Sequence, residues 1–170
     1  MKQRLAGIAA FAVSVLAAAA GAGLAQQPAA PVAAPQGGAA ASPYAMTMGD
    51  MMNTLIQPRH AKLGLAGHAE NWRLAQYASA EIRQAFAGIA KAQPKFAGMP
   101  VGTLVDVAMV PPLNAIDAAI KQQDAAKFTA AYGQLTQGCN ACHMELDHAY
   151  VVIKIPDASV FPNQDFAPAR

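Results

Sequence analysis

Residues 124–147 read DAAKFTAAYGQLTQGCNACHMELD, and this stretch decides the class of fold. Phe128, Tyr132, Leu135, Cys139, Cys142 and Leu146 follow one another at steps of 4, 3, 4, 3 and 4. That is the heptad-like repeat of a helix with one buried seam. Asp124 stands where a carboxylate oxygen can accept from the backbone N–H groups of the first turn, so it is the expected N-cap. Both thiols fall on the inward seam.

Working outward, three earlier segments repeat the helical pattern. The first runs from about Thr47 to Ala66, with Met48, Met52, Ile56, His60 and Leu63 on one face and Pro58 as a point of bending or splitting. The second runs from about Glu70 to Ala92 on a stripe of Trp72, Ala75, Ile82, Phe86 and Ile89; Asn71 is its expected cap and Pro94 lies beyond its end. The third lies between Val101 and Gln122, with Leu104, Val105, Ala108, Leu113, Ile116 and Ile120 inward and a break or kink expected at Pro111-Pro112. Four such segments joined by short breaks predict an all-α fold, an antiparallel four-helix bundle over residues 44–149. Residues 150–170 carry Val151, Val152, Ile153 and Ile155 before Pro156, which predicts an extended C-terminal strap.

Composition agrees. A chain of 170 residues suits a single core, and 6% aromatic residues with abundant alanine argue against a β-sandwich. The 12 Lys and Arg against 10 Asp and Glu include Lys2 and Arg4, which fall in an N-terminal address segment. Without those two the chain is near neutral, and nothing points to a nucleic-acid partner.

That address is residues 1–25. Lys2 and Arg4 precede an apolar run from Leu5 to Ala20, followed by small residues to Ala25, the layout of a secretory signal peptide. Residues 26–43, rich in Gln, Pro, Ala and Gly and free of charge, read as a flexible linker. The expected destination is the periplasm, with no membrane span left after signal cleavage.

The chemistry is concentrated in Cys139-Asn140-Ala141-Cys142-His143, which contains both cysteines of the chain. The Cys-x-x-Cys-His pattern reads as a covalent attachment site for one haem c. At positions i, i+3 and i+4 of a helix, two thiols can bond the porphyrin vinyl groups while the imidazole of His143 reaches the iron. Three other readings are weaker. A disulfide between Cys139 and Cys142 would close a very small loop. A thioredoxin-type pair normally opens a helix rather than ending one. Zinc would require a fourth ligand that the local sequence does not supply.

With this motif late in the last helix of an exported, all-helical chain, the region from about Thr47 to Asp147 resembles the class II c-type cytochromes, the four-helix-bundle group that includes cytochrome c-prime. The resemblance implies a haem between helices, His143 as proximal ligand and first-helix residues on the distal side. Two features depart from the family pattern: 27 residues follow His143, and Pro111-Pro112 interrupts the third helix. The segments Gln57-Pro58-Arg59-His60-Ala61-Lys62-Leu63 and Asn163-Gln164-Asp165-Phe166 resemble those of an uncharacterised branch of small exported haem proteins.

The occupant of the second axial position decides what such a haem does. His60 is the leading candidate, with Met52 or its neighbour Met51 as thioether alternatives, and Arg59 and Lys62 as candidates for propionate contacts. His148 and Lys154 are further propionate candidates, and Trp72, Tyr77 and Phe86 could edge the porphyrin. Two functions fit: single-electron transfer with redox partner proteins, or binding of a small gas ligand such as NO or CO at an open distal face. Low peroxidase activity could accompany an open haem, although no acid/base pair or nucleophile points to an enzyme. Pairing of two chains through helix faces and a monomer both remain open.

Overall fold

The computed structural model describes residues 44–168; the expected signal peptide (1–25) and the expected linker (26–43) lie outside the described residues. The fold is all-α apart from one minimal hairpin. Its helices are α1 (Met48–Met51), a π-helical segment (Met52–Ile56), α2 (Gln57–His68), α3 (Trp72–Ala92), α4 (Val101–Ala108), α5 (Val110–Gln122) and α6 (Ala125–Glu145). Strands β1 (Lys95–Phe96) and β2 (Met99–Pro100) pair antiparallel between α3 and α4, a feature the sequence pattern did not predict. Ala97 and Gly98, both at positive φ, make its tight turn. Among the described residues no single helix is long and apolar enough to cross a membrane.

The expected caps form. The Asp124 carboxylate accepts from the Lys127 N–H at 2.9 Å, and the Asn71 side chain accepts from the Leu74 N–H at 3.2 Å. Thr47 and Asp50 close a reciprocal capping box at the start of α1.

Both proline-containing segments are split into pieces, as expected, but each break lies just upstream of its proline. Pro58 stands in the first turn of α2, directly after the π-helical segment, so the wider turn absorbs its missing N–H. Side chains bond one carbonyl before this distorted stretch and one within it: Thr54 Oγ1 donates to Asp50 O at 2.6 Å, and Arg59 Nη1 donates to Leu55 O at 2.9 Å. The third segment breaks at Met109, not at Pro111-Pro112. Both prolines then sit in the first turn of α5, where helical N–H groups have no intrahelical partner anyway. The axes of α4 and α5 differ by 43°.

Helix α2 packs on α3 and α6, and α5 packs on the same two helices, while α4 also touches α3 and α6. Leu63, Ile82, Ile116, Phe128, Tyr132 and Leu135, all fully buried, fill the space between them. The α2–α6 contact is antiparallel and unusually close. A Cβ on Gly64 would lie 2.5 Å from Tyr132 Cζ, and one on Gly67 would lie 1.9 Å from Phe128 Cζ. The two aromatic rings therefore rest on bare α2 backbone.

Beyond α6 the chain continues without regular secondary structure but with specific contacts. Asn140 bonds the backbone of Ile153, Lys62 Nζ lies 4.8 Å from the centroid of Phe161, and Asn71 donates to Ala167 O at 2.9 Å. The segment thus returns from the C-terminal end of α6 to the N-terminus of α3. Phe166, buried against Phe161, anchors it.

Candidate functional site

Between the first helix and the C-terminal half of α6 lies a cleft with largely apolar walls. From α6 it receives Cys139, Cys142, His143 and Leu146; from the first helix, Met48, Met52, Asn53, Ile56 and His60. Phe86 of α3, Phe96 of the hairpin, Leu104 and Val105 of α4, and Met109 add to the walls. His148, Val151 and Ile153 complete them from the segment after α6. The sequence motif and the cleft coincide.

Gly138 explains how the break in the third segment meets the motif. Pro112 has no N–H to offer the carbonyl four residues earlier, that of Ala108, and this carbonyl lies so close to α6 that a Cβ on Gly138 would be 2.7 Å from it. Met109 is thereby carried into the cleft next to the first cysteine.

Both thiols are free. Burial pushes the Cys139 thiol up to about 12, with a smaller contribution from Cys142, and burial also raises Cys142, helped by Glu145. A thiol kept protonated by burial, as Cys139 is, is a poor disulfide-exchange nucleophile. Among the described residues no group of three or more His, Cys, Asp and Glu side chains converges on a metal ion.

His143 sits in the last turn of α6 with a defined ring orientation. Its Nδ1 donates to the carbonyl oxygen of Val151 at 2.7 Å. Because a carbonyl can only accept, Nδ1 carries a proton; in the neutral imidazole this leaves the lone pair on Nε2, the form in which imidazole binds a metal.

His60, on the cleft wall, has both ring nitrogens engaged. Its Nε2 pairs with Thr136 Oγ1 at 2.9 Å and its Nδ1 with the Tyr132 hydroxyl at 3.0 Å, and the rings of His60 and Tyr132 stack. The side chain is 3% exposed, and burial lowers its pKa to about 4. Burial, with a contribution from Cys139, also raises the pKa of Tyr132. The Tyr132 hydroxyl also reaches His60 O at 2.8 Å and Thr136 Oγ1 reaches Tyr132 O at 3.0 Å, so a neutral His60 donates to one hydroxyl, which passes its own proton to a carbonyl, and accepts from the other.

No protein-family model, curated protein or solved structure matches this chain.

The other candidate residues divide clearly. Met52 lines the cleft, whereas Met51 is buried in the core. Arg59 and Lys62, expected at propionates, are not among the cleft residues. Arg59 turns to Leu55 O and, at 3.5 Å, to Glu81, while Lys62 covers Phe161. The reason is helical phase: with His60 facing inward, positions 59 and 62 point to the flanks. Phe86 lines the cleft; Trp72 borders a separate surface groove and Tyr77 is exposed. Lys154 pairs with Asp157 at the surface. His148 lines the cleft, with Nδ1 bonded to Leu146 O at 2.6 Å and its ring near Phe96 and Tyr150.

The His60 network carries a pH prediction. The folded-state pKa of about 4 lies below the ordinary 6.5, so the unfolded chain takes up the proton first. Stability fully present above 6.5 is lost as pH falls toward 4. The loss attributable to this residue is on the order of 2 to 3 kcal/mol. Urea unfolding at both ends of this window measures it, and in His60→Gln the pH-dependent difference should shrink by that amount.

Proposed function

We propose that this chain is an exported c-type cytochrome of the class II kind, a four-helix bundle closed by a C-terminal strap, that transfers single electrons through one haem c in the periplasm. The observation that carries the reading is the meeting, in one apolar cleft, of two free thiols with an imidazole whose Nδ1 is already bonded and whose Nε2 is free. These residues fit the group: Cys139 and Cys142 would hold it covalently, His143 would bind the iron, and the apolar walls would exclude water. When bound, haem supplies a one-electron iron couple whose potential depends on axial ligands, hydrogen bonding and burial.

The packing of α2, α3, α5 and α6 supports the bundle, and the contacts of residues 150–168 support the strap. Exposed apolar side chains beside the motif, Met144, Tyr150 and Val152, are consistent with partner docking near a haem edge.

The antiparallel register favours Met52 over His60 as the further residue that would hold the group. His60 lies beside Thr136, Gly64 under Tyr132 and Gly67 under Phe128. Carried on in the same register, His143 comes level with Met52 and Asn53, and His60 falls about 10 Å away along the helix axis. Met52 belongs to the π-helical segment, and such distortions recur at functional sites. A thioether there would raise the reduction potential and favour electron transfer.

The test is the spectrum of the haem-loaded protein, oxidised and reduced, with and without CO. Expected is a low-spin six-coordinate iron in both states that takes up no CO at equilibrium, and Met52→Ala should convert it to a high-spin form that binds CO. A wild-type protein already high-spin and rapidly binding CO or NO would favour the gas-ligand function instead. A low-spin Met52→Ala would return the ligand assignment to His60.

A further inference from the structure

We propose that Asn140, the first residue between the two cysteines, is a positioning residue that sets the tautomer and orientation of His143 by clamping the chain segment that follows α6. The inference rests on the haem reading above and goes beyond it, because it assigns a role to a residue that such attachment motifs leave variable.

Two hydrogen bonds join the Asn140 side chain to one residue of that segment. The Ile153 N–H donates to Asn140 Oδ1 at 2.7 Å, and Asn140 Nδ2 donates to Ile153 O at 2.9 Å. A primary amide matched in this way to a backbone N–H and C=O imitates one rung of a β-ladder and holds the chain at a defined height on α6. The other flank is held as well: the His148 N–H donates to His143 O at 2.7 Å, and the Val151 N–H donates to His148 O at 2.8 Å.

Val151 lies between these two attachments, and its carbonyl receives Nδ1–H of His143. Asn140 precedes His143 by one helical turn, so both project from neighbouring positions of the same face. Without the clamp, a histidine in the last turn of α6 would lose its fixed acceptor. Its ring could then rotate, and its neutral form could place the proton on either nitrogen. Outer-sphere acceptors of this kind fix the ring of a metal-binding histidine and raise its basicity.

A more basic imidazole stabilises ferric over ferrous iron, so loss of the clamp should raise the reduction potential.

The experiment compares wild type, Asn140→Ala and Asn140→Asp in two forms of the full chain. In the haem-free form, produced in the cytoplasm, long-range proton–nitrogen NMR at alkaline pH reads the tautomer of His143. The expected result is Nδ1–H in wild type and a mixture of both tautomers in Asn140→Ala. Asn140→Asp, which keeps the acceptor for the Ile153 N–H, should fall between them. In the haem-loaded form the midpoint potential should rise in the same order, with haem content unchanged. Circular dichroism that matches wild type shows that the helices persist.

An unchanged tautomer in Asn140→Ala would overturn the proposal, and so would a changed tautomer with an unchanged potential. Should the alanine variant fail to fold, the aspartate variant decides by the same two readings. Intact mass without porphyrin in exported wild type would defeat the haem reading separately, and the tautomer measurement would still decide whether Asn140 positions His143.

Discussion

Replacing both Cys139 and Cys142 by serine is expected to abolish covalent pigment completely, leaving exported protein at the mass of its polypeptide. Wild type from the same cells, with working cytochrome maturation, should carry the added mass of one porphyrin and retain its colour after denaturation. The size of the effect follows from the fold. Both thiols line one apolar cleft beside the free Nε2 side of His143, and the chain contains no other cysteine that could substitute. Serine conserves nearly the same volume, so the helices should survive in the variant, and circular dichroism checks that they do. Removing only one thiol should leave a single thioether link and a partly loaded, altered spectrum. Wild type that emerges colourless and at bare mass would defeat the assignment.

The second large effect is structural. Gly67→Ala places a methyl group 1.9 Å from Phe128 Cζ, and the rest of that ring lies just beyond. Phe128 is fully buried, with its ring stacked parallel to that of Tyr132, so it has no free direction in which to move. Overpacking usually costs roughly 1–3 kcal/mol, and this site should lie at or above the top of that range because backbone meets a confined ring. Urea unfolding of haem-free protein measures it. Gly67→Ala combined with Phe128→Leu should recover part of the loss, since the second change removes the opposing atoms. A fully stable single variant would show that α2 and α6 do not approach this closely. The same seam governs the site, because the register of Gly64 and Gly67 against Tyr132 and Phe128 determines which first-helix residue stands across from His143.

Helical periodicity made much of the architecture readable. The spacing from Phe128 to Leu146 and the stripe from Trp72 to Ile89 correspond to α6 and α3, and Asp124 and Asn71 cap them. These signals are local, so they survive without knowledge of partners. The break in the third segment was legible in kind but misplaced by two residues, since a proline is tolerated in a first turn and the discontinuity moves upstream of it. The hairpin at 95–100 gave no usable signal because two residues per strand are too few for any alternation.

The motif of two cysteines and a histidine, and the side of α6 on which they lie, were determined by the order of residues alone, because a helix turns by a constant angle per residue. Which side chains meet them was decided only in three dimensions. Arg59 and Lys62 look like propionate partners beside His60 in the sequence, but helical phase turns them to the flanks. His60 satisfies both ring nitrogens on α6, one and two turns before the first cysteine, and Val151, eight residues after His143, returns to accept a hydrogen bond from it. Such pairings depend on the close approach of two helices at Gly64 and Gly67 and on the path of an irregular segment. Neither has a periodicity, so no pattern along the chain could reveal them.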